Sequence, residues 1–264
     1  TRTLKDEFAK KKEKAVVDEL EREFRQKVKY TNFEISSDGR TINNAELKYS
    51  EEFELSDLVR KAGKKILINV AMEYVFAVDV ANGEILWKVA HLRPESFKWD
   101  HIKCVTPLYH NGMVYVTGGY DCGGMMLKMS DDGKNATIAW TDSVLDVHHG
   151  GVVLLDGYIY GSNWINNGNG NWCCIEWSTG KKMWEQSWNN KGSIISAEGM
   201  LYIYDEKRGY AGLLRATPEK FDLVSSFQVK EGMTGPFWAH PVIHNGILYL
   251  RHNNALMAYD IKAK

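Results

Sequence analysis

From about residue 62 onward, the chain is a succession of short apolar runs separated by turn residues. The runs hold four to six residues, which suits strands and is too short for globular helices. Four of them carry one signal, a turn glycine followed three residues later by tyrosine. These are His110-Asn111-Gly112-Met113-Val114-Tyr115, Leu155-Asp156-Gly157-Tyr158-Ile159-Tyr160, Ala197-Glu198-Gly199-Met200-Leu201-Tyr202 and His244-Asn245-Gly246-Ile247-Leu248-Tyr249. Their glycines lie 45, 42 and 47 residues apart, and a degraded copy begins at Gly63-Lys64-Lys65-Ile66. Asn-Gly and Asp-Gly between apolar runs predict tight hairpins, because both turn residues take positive φ.

Each copy continues through a second turn. Val75–Val80 leads to Asn82-Gly83 and Ile85-Leu86-Trp87, and Trp172–Trp177 leads to Thr179-Gly180 and Lys182-Met183-Trp184. A looser version runs through Asp132-Gly133 to Ile138-Ala139-Trp140. The fourth copy has Thr217-Pro218-Glu219-Lys220 at the turn and Leu223-Val224 at the Trp site, and the last run is Ala255–Asp260. Three or four hairpin-linked strands per repeat make one small antiparallel sheet. Such a sheet buries both faces only by stacking against its neighbours, so the pattern predicts a β-propeller of four-stranded blades, about five of them visible. A β-sandwich is the alternative, but it requires neither a fixed repeat nor a recurring Gly-x-x-Tyr.

The first sixty residues differ. Leu4, Phe8, Val17, Leu20, Phe24 and Val28 recur at mostly helical spacing, which predicts an amphipathic α-helix over 1–28. Residues 29–61 read as a hairpin and linker around Ser37-Asp38-Gly39-Arg40, and are a candidate for completing the last blade. The expected organisation is therefore helix 1–28, hairpin 29–61 and propeller 62–264.

Composition narrows the function. Of 264 residues 44% are hydrophobic and 25% charged, with a net charge of −1, so a strongly basic nucleic-acid binder is excluded. No run reaches the ~18 apolar residues of a membrane span, and Thr1–Lys14 has no signal-peptide apolar core. Cys104, Cys122, Cys173 and Cys174 form no Cys-x-x-Cys pair and no zinc spacing.

The segments Ala77-Val78-Asp79, Asn82-Gly83-Glu84-Ile85-Leu86-Trp87 and Trp172–Lys181 resemble the pyrroloquinoline-quinone-type (PQQ-binding-like) propeller repeat family. His148–Val153, Trp238–Ile243 and Ala255–Asp260 resemble its secreted bacterial members in particular. The resemblance implies a periplasmic or secreted protein. It also implies two functional classes: a non-catalytic envelope scaffold that binds a protein or small ligand, or a quinoprotein dehydrogenase with PQQ and calcium. Some quinoproteins set a vicinal disulfide against the quinone, which draws attention to Cys173-Cys174. These two stand inside a strand, however, where neighbours face opposite ways. No Glu/Asn/Asp calcium set with a matching motif is visible, so the reading is of no cofactor and no catalytic residue.

Propeller sites gather at one axial face. The starts of inner strands and the ends of the strands that follow bring a polar and aromatic set there: Asp121, His148, His149, Asn163, Trp164, Trp238, His240, Arg251 and His252. Three uses are open for this set. The residues cap strand ends, or they form a ligand funnel with Trp164 or Trp238 as a stacking face. In the third, His149, His240 and His252 hold a metal.

Overall fold

The computed structural model describes residues 63–91, 103–232 and 234–262 in full, together with the backbone of the strands between Val28 and Lys61. The helix expected over 1–28 lies outside the described residues, apart from Val28, which opens a strand. The chain divides into two units, Thr1–Ser56 and Asp57–Lys264. In the first, β1 (Val28–Thr31) pairs antiparallel with β4 (Glu46–Tyr49), and β2 (Glu34–Ile35) pairs with β3 (Ile42–Asn43), a nested hairpin.

The second unit is a β-propeller of five successive antiparallel sheets, each with its strands in chain order. Blade one holds β5 (Leu58–Lys61), β6 (Lys64–Val70), β7 (Tyr74–Asp79) and β8 (Ile85–Ala90). Blade two holds β9 (Leu108–His110), β10 (Met113–Thr117), β11 (Gly124–Met129) and β12 (Ala136–Asp142). Blade three holds β13 (Val152–Leu155), β14 (Tyr158–Ser162), β15 (Trp172–Glu176) and β16 (Lys182–Gln186). Blade four holds β17 (Gly192–Ala197), β18 (Met200–Asp205), β19 (Tyr210–Arg215) and β20 (Asp222–Gln228). Blade five has three strands among the described residues, β21 (Val242–His244), β22 (Ile247–His252) and β23 (Ala255–Asp260).

The repeated turns work as the sequence predicts. Asn111, Asp156, Glu198 and Asn245 have φ of 49 to 51°, and the glycine after each lies between 73 and 82°. Two consecutive left-handed residues give the primed turn whose twist matches the strands it joins. The outer turns are different. At Asn82-Gly83 only the glycine has positive φ, and its N–H reaches back to the Asp79 carbonyl at 2.8 Å.

Side-chain alternation builds the core. Along β10, Val114 and Val116 join a cluster with Ile66, Ile68, Val75, Ala77 and Trp87 of blade one. Tyr115, between them, joins Ile159, Cys173 and Ile175 of blade three. Along β15, Trp172 and Cys174 turn the other way, to Ile194, Leu201, Ile203 and Leu214 of blade four. Blade four in turn packs Tyr204 and Ala211 against Leu248 and Leu250 of blade five. The period-two pattern thus feeds two different seams from one strand, which is why the middle strands are apolar on both faces.

An extra residue recurs in the outer strand. The register shifts between Ala77 and Val78, Met126 and Leu127, Cys174 and Ile175, and Leu213 and Leu214. Just before each shift, Ala77 faces Trp87, Met126 faces Trp140, Cys174 faces Trp184 and Leu213 faces Ser225. Blades one to four therefore carry the same β-bulge, which adds twist and, in the first three, aims an indole into the seam. The register also corrects the reading of the fourth repeat. Ser225, rather than Leu223-Val224, occupies the Trp position.

Candidate functional site

The loops that lead into the inner strands meet the ends of the second strands of neighbouring repeats. Hydroxyls join these edges. Thr117 donates to the Leu145 carbonyl and accepts from Val147 N–H at 2.9 Å. Ser162 donates to the Gly192 carbonyl at 2.9 Å and accepts from the Gly192 N–H at 3.0 Å. Gly150 is required at this junction, since a Cβ there would sit 1.9 Å from the Gly192 carbonyl oxygen.

On this frame sits an aromatic strip. Tyr120 lies 4.8 Å from Trp164 and 4.7 Å from His148, between ring centroids. His148 lies 4.8 Å from His149, and His149 lies 5.4 Å from Trp238, edge to face. Trp238 stays 57% exposed. The structure thus brings together His148, His149, Trp164 and Trp238 from the predicted set, with His240 bound to the His149 carbonyl at 2.9 Å.

Behind the strip lies a buried ion network. His149 Nε2 is 2.9 Å from Glu206 Oε2, and Lys191 Nζ is 2.7 Å from Glu206 Oε1. The Lys191 and Glu206 side chains are only 4% and 8% exposed. Lys191 also donates to the carbonyls of Asn166 and Asn167, at 3.0 and 3.1 Å, anchoring the glycine-rich loop. Burial pushes the Glu206 carboxyl up, but the bonds from His149 and Lys191 outweigh it and hold the group below its usual value. A cavity of about 270 Å³ opens beside the network, walled by Asn167, Asn190, Glu206, Lys207, Pro236 and Trp238.

The other predicted residues serve the walls. Asn163 is buried, donates to Glu185 at 2.9 Å and accepts from Asn171 N–H at 2.8 Å. Asp121 is bound through its backbone, its N–H donating to Asp146 Oδ2 at 2.7 Å at a φ of 62°. Asp146 further accepts from Gly123 N–H at 2.8 Å, and its carbonyl accepts from Trp164 N–H at 2.7 Å. Arg251 bonds locally to the Asn253 carbonyl at 3.0 Å. His252 is buried and stacks on Phe237 at 3.7 Å, with Nδ1 2.8 Å from the Glu231 carbonyl and Nε2 3.1 Å from that of Gly235.

His149, His240 and His252 are thus each bonded to a different partner. Among the described residues no three His, Cys, Asp or Glu side chains gather as a metal site. Cys173 and Cys174 are free, buried thiols in separate seams. Cys173 and Cys174 therefore do not form the vicinal disulfide that some quinoproteins set against the cofactor.

Sequence reasoning missed Lys191, Glu206, Tyr120 and Asp146. A signal for Lys191 was present. Asn190-Lys191-Gly192 leads into β17 as His148-His149-Gly150 leads into β13. Glu206 carries no local signal, because its partners lie 15 and 57 residues away.

The family model described as outer membrane protein assembly factor BamB, a PQQ-type repeat, matches residues 71–220, more than half of the chain. No curated protein sequence matches it. Among solved structures, BamB from Moraxella catarrhalis is similar at 16% identity and a TM-score of 0.42, over 75% of this chain and 69% of that one. A europium-containing methanol dehydrogenase is similar at 12% identity and 0.46, over 71% and 47%. Quinohemoprotein alcohol dehydrogenase from Comamonas testosteroni is similar at 10% identity and 0.52, over 71% and 38%. The chain spans less than half the length of either dehydrogenase, and the likeness to the last shows the propeller fold alone. With stacked repeat sheets, shared bulges and this match, the chain belongs to the PQQ-type β-propeller repeat family described as outer membrane protein assembly factor BamB.

Proposed function

We propose that the chain is a non-catalytic scaffold propeller of the cell envelope that holds a protein partner on its axial aromatic face. The observation that carries this reading is Trp238, exposed over His149 beside a cleft of about 270 Å³. An exposed indole next to a small pocket is the usual form of a protein-binding anchor, whereas small-ligand sites run to about 300–1,000 Å³. The polar groups behind it are bonded to one another, which supports recognition by shape more than chemistry at this face. The family description, with its outer-membrane assembly role, supports an envelope location and a protein partner.

The quinoprotein alternative finds less support. It needs a cradle for a planar cofactor, and the cysteines, histidines and carboxylates at hand are committed elsewhere.

A photo-reactive phenylalanine analogue in place of Trp238, in the full chain and in its own cells, tests the reading. The expected product is one adduct with an outer-membrane assembly component, lost when Trp164→Ala is added. Adducts no different from those of the same analogue at exposed Asp131 would overturn it.

A further inference from the structure

A second cluster stands at the seam of blades one and two, on the loop that carries Tyr120 into the strip. Lys103 Nζ is 3.1 Å from Cys122 Sγ and also donates to the His91 carbonyl. His91 Nε2 is 3.5 Å from the same sulfur. His91 is 95% buried by its 5% exposure, and its Nδ1 has no hydrogen-bond partner among the described residues. Gly118 makes room, since a Cβ there would lie 3.2 Å from the sulfur and 3.6 Å from Lys103 Cε. The group opens into a cavity of about 510 Å³, walled by His91, Cys122, Met125, Ile138, Thr141 and Ser143 among others.

We infer that Cys122 is a reactive thiolate site that takes a small organic disulfide by thiol–disulfide exchange. A lysine ammonium against a sulfur favours the thiolate, which is the nucleophile. With the proton on Nε2, His91 is a second donor to the sulfur and leaves only a lone pair at its buried Nδ1. The cavity holds an organic substituent on apolar Met125 and Ile138, with the hydroxyls of Thr141 and Ser143 nearby.

In the step, Cys122 Sγ⁻ attacks one sulfur of R–S–S–R. The Cys122–S bond forms as the original S–S bond breaks, and the electron pair leaves on R–S⁻, which takes a proton from water. The leaving sulfur is reduced as the Cys122 sulfur is oxidised, so no other oxidant is required. His91 and Lys103 act on the attacking sulfur and touch no carbon of the ligand.

Oxidised glutathione is the probe, with Cys104 as the internal reference because it is an exposed free thiol. The unaltered chain is incubated with it, and mixed disulfide at each of the two cysteines is followed by intact mass and peptide mapping. Cys122 is expected to react about tenfold faster than Cys104. Reaction no faster than Cys104, or only after urea unfolding, would overturn the inference. This comparison alters nothing around the sulfur, so it does not depend on a variant folding. Lys103→Gln, checked by near-UV circular dichroism, is then expected to slow Cys122 about tenfold and leave Cys104 unchanged. An unchanged Cys122 rate in a folded Lys103→Gln chain would equally overturn it.

Discussion

Trp184 of blade three donates its indole N–H to the carbonyl of Thr217 in blade four, at 2.8 Å. The same ring lies 5.8 Å from Phe221 and 6.0 Å from Tyr160, so it touches both sides of a seam. Replacing Trp184 by Ala removes this half-buried contact and is expected to cost about 3 kcal/mol. Trp184→Phe keeps most of the packing and loses the hydrogen bond, worth about 1 kcal/mol. Urea unfolding of both variants checks the order. Equal losses would remove the indole's role as a seam spacer.

The buried Lys191–Glu206 pair gives a sharper test. Lys191→Met strands a carboxylate in the interior and is expected to cost about 3–5 kcal/mol. Adding Glu206→Leu is expected to return much of that loss, because the uncompensated charge goes with it. A double variant no more stable than Lys191→Met would mean that loop anchoring at Asn166 and Asn167 dominates.

Glu206 also sets an acid dependence. Its carboxyl titrates below the usual value in the folded chain, so its contribution is present above about pH 4.5 and disappears as pH falls through the folded value. Stability measured between pH 5 and 3 is expected to fall less steeply in Glu206→Gln than in the parent chain.

His91 acts in a higher range. Burial and then the Lys103 charge lower it to about 4. The unfolded imidazole takes its proton near 6.5, so the folded state loses stability as pH falls from about 6.5 to about 4, on the order of 3 kcal/mol in total. His91→Asn is expected to flatten that slope while leaving the Glu206 region unchanged, as read from urea midpoints at half-unit pH steps.

Cys173 and Cys174 make the contrast with Cys122. Burial raises both thiols, Cys174 to about 12 and Cys173 further. Neither is expected to react with iodoacetamide at pH 8 in the folded chain, and both are expected to react in urea. Native labelling of either would argue for opening of the seams that hold them.

The sequence was most legible where one residue decides a local conformation. Asn111-Gly112 and Asn245-Gly246 announce hairpins because few other pairs accept two positive φ values in a row. Trp87 and Trp140 announce outer strands because their bulk has one place to go. Legibility drops where two repeats meet. Glu206 reads as an ordinary acid after a strand, and only the stacking of blade four on blade three carries it to His149. His252 reads as a mouth residue, yet Phe237 closes over it. The bulges were also invisible, since Leu86, Ala139 and Met183 look like any other strand positions.

The division of β10 between two seams has a practical consequence. Substitutions one residue apart report on different joints: Val114 and Val116 loosen the joint to blade one, while Tyr115 loosens the joint to blade three. A hydrogen-exchange map of such single variants is therefore a wiring diagram. It shows which joint gives way first, and whether the damage stops at the adjacent blade or runs along the row.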